Sequence, residues 1–114
     1  MEDEKAVQFF EEVLNKTRQH RIRWEPTASD SEFVAPVGGQ FTLTLRLSTG
    51  ASWEGIVRPE LVLKDSANRE ILSVNEKTGL VSPTDLDSVY ELARRDALRV
   101  DEKVDEVLGQ LSKL

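Results

Sequence analysis

The sequence has no cysteine and a single histidine in 114 residues. Without cysteine there is no disulfide scaffold, thiolate nucleophile, zinc finger or iron–sulfur ligand set, because each needs that sulfur. Apolar runs never exceed a few residues, against the ~20 that a membrane helix requires. Glu2, Asp3 and Glu4 stand where a secretory signal would be basic and then apolar, so the expectation is no membrane and a cytoplasmic location. Positive charge is also in short supply. Fifteen Lys and Arg face 21 Asp and Glu, a net charge of −6, which disfavours the phosphate contacts that nucleic-acid affinity rests on.

What is present suits a folded, well solvated chain: 39% of residues are hydrophobic and 32% charged. The length predicts one domain over residues 1–114 with one core. Charge is unevenly spread. Lys16, Arg18, Arg21 and Arg23 give residues 16–23 a charge of +4, while residues 1–15 carry −4 and residues 82–114 carry −3. These four bases are the candidate patch for an anion or an acidic partner, although basic residues also simply close a helix against its dipole.

Ala6, Val7, Phe10, Val13, Leu14 and Thr17 recur at three- and four-residue steps, which predicts a helix from Asp3 to about Gln19. Arg21 to Glu25 alternates polar and apolar before Pro26 and reads as a short strand with Ile22 and Trp24 inward. Phe33–Val37 and Gln40–Ser48 flank Gly38-Gly39, the signature of a hairpin with a two-residue turn. That turn would set Val34 opposite Leu43 and Pro36 opposite Phe41, with Thr42, Thr44, Arg46 and Ser48 as a solvated row. Pro36 places the first of these strands at an edge. Leu61–Lys64 and Ile71–Val74 form a second pair across the polar connection Asp65 to Glu70.

Ser82-Pro83-Thr84-Asp85 starts the last helical segment. From there Leu86, Tyr90, Ala93, Ala97, Val100, Val104, Val107 and Leu111 step by alternating fours and threes, a heptad-compatible seam. One straight rod would run ~45 Å at 1.5 Å per residue, longer than such a domain is wide. The segment therefore bends or projects. Asp101 offers a second cap, so two consecutive helices meeting near Arg99 are preferred to one. The class is α+β: an N-terminal helix, an antiparallel meander of about five strands, and a C-terminal helical segment on one face of the sheet.

Arg23-Trp24-Glu25-Pro26-Thr27 and Tyr90-Glu91-Leu92-Ala93-Arg94-Arg95-Asp96-Ala97-Leu98 resemble motifs of a set of small bacterial proteins. Those proteins have a basic-Trp-Glu strand, a β meander and an "ELARR" helix. The resemblance implies the helix–meander–helix arrangement and a prokaryotic source, and it carries no activity.

Catalytic equipment is sparse. His20 lies among Gln19, Arg21 and Ile22 with no acidic orienting partner beside it, and no nucleotide-binding or nucleophile-elbow motif occurs. Asp101, Glu102, Asp105 and Glu106 have the spacing of a solvated helix face, and Asp65–Glu70 lacks the order of a calcium loop. The reading is a noncatalytic protein–protein interaction or adaptor module, with no metal or cofactor and with self-association or a protein partner expected. Its candidate surface is Trp53, Tyr90, Val100, Val104, Val107 and Leu111. Two alternatives stand beside it. One is a small-molecule site near the Trp53 loop that draws on Trp24, Arg46 and Arg58. The other is a small acidic chaperone-like protein.

Overall fold

The computed structural model describes residues 2–48 and 58–114. The first helix, α1 (Glu2–Arg18), buries Ala6, Phe10, Val13, Leu14 and Thr17 along one stripe, as the apolar spacing requires. His20 ends it. With φ at 57° it is left-handed, its N–H donates to the Thr17 carbonyl at 3.1 Å, and the Arg21 N–H donates to the Lys16 carbonyl at 2.9 Å. This bond pair satisfies the last free carbonyls of a helix and is usually built on glycine. The lone histidine is therefore a helix-closing residue.

Five strands follow in chain order as an antiparallel meander: β1 (Glu25–Pro26), β2 (Phe33–Val37), β3 (Phe41–Ser48), β4 (Arg58–Lys64) and β5 (Glu70–Val74). The first strand is displaced from its expected place. Residues 21–24 join no ladder, and Pro26, expected as a stop, lies within β1. Trp24 fixes this segment instead: its backbone N–H donates to Asp96 Oδ2 at 2.8 Å, and its buried indole N–H donates to Thr17 Oγ1 at 3.1 Å. Ile22 is half-buried, and Trp24 joins the core. The edge position falls to β1, but β1 reaches only Phe33 and Val34, so Pro36 still lies on an uncovered stretch of β2.

The hairpin register also differs from expectation. Its loop has three residues, Gly38 to Gln40, with Gly38 and Gly39 at φ of 66° and 77°. Val37 pairs with Phe41, Ala35 with Leu43 and Phe33 with Leu45. The added residue reverses which side chains of β2 face inward, so Phe33 and Ala35 enter the core in place of Val34 and Pro36. The row expected to be solvated is partly closed. Thr44 and Val62 are buried, and Arg46 joins Glu60 to Glu70 across that face.

Ser82 caps α2 (Pro83–Ala97) by accepting the Asp85 N–H at 3.1 Å. Leu86, Val89, Ala93 and Ala97 lie in a core shared with α1 and with Phe33, Leu45, Leu61 and Val74 of the sheet. Both helices cover the same sheet face. The C-terminal segment is two helices: α2 stops at Ala97 and α3 (Val100–Leu111) starts after Arg99. Arg99 is the residue at the break, left-handed at φ 53°, with no side-chain cap. Asp101 does not cap α3; it stands in the first turn and binds Arg95 at 2.7 Å across the elbow.

Candidate interaction surface

The break at Arg99 divides the sequence seam into two halves with different fates. Leu86, Ala93 and Ala97 are core, and Val100 is half-buried. Beyond it every residue from Asp101 to Leu114 is exposed. Val104, Val107, Leu108, Leu111 and Leu114 are 48, 54, 57, 55 and 100% exposed. At 100° per residue the four of these on α3, with Val100, occupy an arc of about 100°, and Leu114 lies past the helix end. Asp101 and Asp105 flank that arc on one side and Lys103 on the other.

The helix α3 touches the end of α2 and no other element to a comparable extent. The molecule is accordingly long, with extents of 57 × 38 × 25 Å and a Cα radius of gyration of 15.6 Å, where a compact chain of this size has about 13 Å. A helix this short is marginal alone in water, because nucleation costs more than a few turns return.

Two concavities meet at Ile22. The larger, a cleft of about 810 Å³, is bounded by the 20–26 segment, the end of α2 and the start of α3. Its rim mixes His20, Arg23, Arg95 and Arg99 with Glu25, Asp96, Asp101 and Glu102, so it offers no single sign of charge. The smaller, about 370 Å³, is an apolar groove between α1 and the β2–β3 hairpin. Phe9, Val13, Ile22, Val37, Phe41 and Leu63 are among the residues that line it, and Glu12 and Lys16 contribute from α1. Ile22 belongs to both walls, so the groove adjoins the cleft that the start of α3 bounds.

The candidate residues separate on this map. Val104, Val107 and Leu111 share the open stripe. Tyr90 does not: its ring packs on Phe33 at 5.6 Å and its hydroxyl donates to the Ser31 carbonyl at 2.9 Å. Burial raises the Tyr90 phenol above its ordinary pKa. Among the four bases, Lys16 lines the apolar groove and Arg23 the mixed cleft, while Arg18 and Arg21 are exposed. Trp53 lies outside the described residues. Of its supposed companions, Trp24 is in the core under the helices, whereas Arg46 is on the opposite sheet face. Arg58 pairs with Glu76 at 3.3 Å and with Asp87 at 3.9 Å.

Arg46 belongs to a polar cluster that sequence reading missed. Glu60 Oε1 accepts from Arg46 Nε at 2.8 Å, and Oε2 accepts from Ser73 Oγ at 2.6 Å and Asn75 Nδ2 at 2.7 Å. The Arg46 guanidinium also grips Glu70 through both terminal nitrogens at 3.0 and 3.2 Å. The register places Val62 between Glu60 and Lys64 on that face, so a guanidinium held at both Glu60 and Glu70 crosses the Val62 position. This cluster covers the second face of the sheet over β3, β4 and β5. Its signal in the sequence was a glutamate in an otherwise apolar strand, Pro59-Glu60-Leu61-Val62-Leu63.

Among the described residues no group of three or more His, Asp or Glu is arranged to hold a metal ion, and no helix is long and apolar enough to cross a membrane. In comparisons with known proteins the chain matches no family model, no curated protein and no solved structure.

Proposed function

We propose that the protein is a noncatalytic interaction module that docks a polypeptide surface through the apolar face of α3. The observation that carries this reading is the continuation of the core seam, past the left-handed break at Arg99, onto a helix that its own fold leaves uncovered. Five aliphatic side chains at about half exposure or more leave on the order of 500 Å² of contiguous apolar surface, at the upper end of what a monomer exposes. An acidic, highly charged back on the same helix keeps such a surface soluble until it is covered.

The test is the double substitution Val107→Ser with Leu111→Ser in the full chain, measured at low micromolar concentration. Side chains that serve binding and not folding predict a Tm change of less than about 2 °C. A fall of about 8 °C or more that is independent of protein concentration would mean that the stripe is packed within its own fold, and the reading would be wrong; a fall that grows with concentration reports the loss of a bound copy.

A further inference from the structure

The surface that α3 needs is present on the chain itself, and three observations join the two. The first is shape. The groove between α1 and the β2–β3 hairpin is apolar and open, with Val37 and Phe41 42% and 40% exposed at the hairpin end. The helix presents a narrow apolar arc of the kind that lies in such a groove.

The second is charge. Residues 100–114 carry −2, with Asp101 and Asp105 beside the arc. The groove is lined by Lys16 and, one turn before it on α1, by Glu12; of the bases at 16–23 only Lys16 reaches it. One base and one acid thus border the groove, and Asp101 with Asp105 on one flank and Lys103 on the other border the arc of the helix.

The third is area. Two stripes facing only each other would bury on the order of 500 Å² per protomer, below the ~800 Å² of a stable interface. Val37 and Phe41, with half-buried Phe9, Ile22 and Leu63, add on the order of 300 Å². Stripe and groove together reach the required size. Ile22 lines both the groove and the cleft that the start of α3 bounds, so acceptor and donor are separated by that cleft, an arrangement that allows a two-fold contact in which each copy both gives and receives.

We infer that the occupant of each groove is α3 of a second copy, so that the chain forms a two-fold dimer by reciprocal helix docking. This inference rests on the interaction reading of α3. In it the left-handed Arg99 sets the angle at which α3 leaves the body, and Lys16 on the groove wall orients the incoming helix by attracting its acidic flank.

The experiment is sedimentation equilibrium on the full chain from low micromolar to about millimolar concentration. The wild type is expected to be a monomer–dimer system. The donor variant V107S/L111S and the acceptor variant F41S should each raise the dimer Kd at least about tenfold. Lys16→Glu, which leaves the apolar wall intact, should raise it about threefold or more, with the difference shrinking in high salt. Circular dichroism on F41S separates lost docking from lost folding, and Lys16→Glu decides if F41S does not fold. Mixing donor and acceptor variants should give a heterodimer that keeps one of the two docked helices and is weaker than wild type.

A wild type that stays monomeric at the highest concentration overturns the dimer, while a stability-neutral V107S/L111S would leave the interaction reading standing. A dimer that V107S/L111S breaks but neither F41S nor Lys16→Glu affects overturns groove docking in favour of helix-to-helix pairing. A dimer that survives V107S/L111S overturns it as well.

Discussion

Replacing Glu60 with glutamine tests the account of the second sheet face. The Glu60 side chain is only 10% exposed, and its two oxygens accept from three donors, Arg46 Nε, Ser73 Oγ and Asn75 Nδ2. A carboxylate suits this ring because it only accepts, whereas an amide has one oxygen and one NH₂ group. If the Gln oxygen faces Ser73 and Asn75, the NH₂ group meets the Arg46 guanidinium; turned round, it can donate to Ser73 Oγ and to Asn75 Oδ1, a buried oxygen without a partner that an amide flip brings to it. The second arrangement is the better one, and it still turns charge-assisted bonds into neutral ones, which costs about 1–2 kcal/mol. For a chain of this length that lowers Tm by about 4–8 °C.

The pH dependence of that difference is a second readout. Burial pushes the Glu60 carboxyl up, but the hydrogen bonds from Ser73, Asn75 and Arg46, with the Arg46 charge, outweigh it and hold the group below its ordinary 4.5. The ionised side chain therefore stabilises the fold above that ordinary value, and the contribution disappears as pH falls through the lower native pKa. Glutamine has no such contribution to lose. Thermal unfolding followed by circular dichroism should show the gap between wild type and Glu60→Gln widest near about pH 7 and narrowing towards about pH 3. A gap under about 2 °C at neutral pH, or one that stays constant on acidification, would refute the reasoning.

Other substitutions probe the joints of the fold. His20→Gly removes the cost of a left-handed non-glycine residue at the end of α1 and should raise Tm by about 2–4 °C, with a decrease telling against the helix-closing role. Thr17→Val leaves the buried Trp24 indole N–H without its acceptor; a loss of about 1–3 kcal/mol in urea unfolding is expected, and an unchanged midpoint would show that the bond contributes nothing. Leu86→Ala, within the core half of the seam, should cost about 2–5 kcal/mol. A cost as small as that of Val107→Ser would mean that the two halves of the seam do not differ.

The α+β order and both ends of α1 were legible in the sequence because the apolar spacing and the charge gradient agreed. The break near Arg99 was legible as a constraint of length: a straight rod would have outrun the domain. Which half of the seam would be covered was not legible, since Leu86 and Leu111 lie on the same seam and only the extent of the sheet tells them apart. The hairpin register was lost at Gln40. A Gly pair suggests a two-residue turn, and one more loop residue exchanges the faces of Val34 and Phe33. Arg21 to Glu25 alternates as a strand does, but the Trp24 side chain, tied to Thr17, and its backbone, tied to Asp96, hold that stretch out of the ladder. The groove escaped notice because Phe9, Val37 and Phe41 come from three elements and share no local pattern.

The outer strands have a bearing on how copies of this chain can aggregate. On one margin, Pro26 and Pro36 remove amide donors from β1 and from the uncovered stretch of β2. On the other, β5 begins at Glu70 beside an irregularity opposite Leu63 and Lys64. The proline margin is a poor template for a further strand, so a neighbour can add at β5 alone. Each such addition leaves a proline margin outward, and crowding at high expression then favours closed, countable assemblies over open-ended ones.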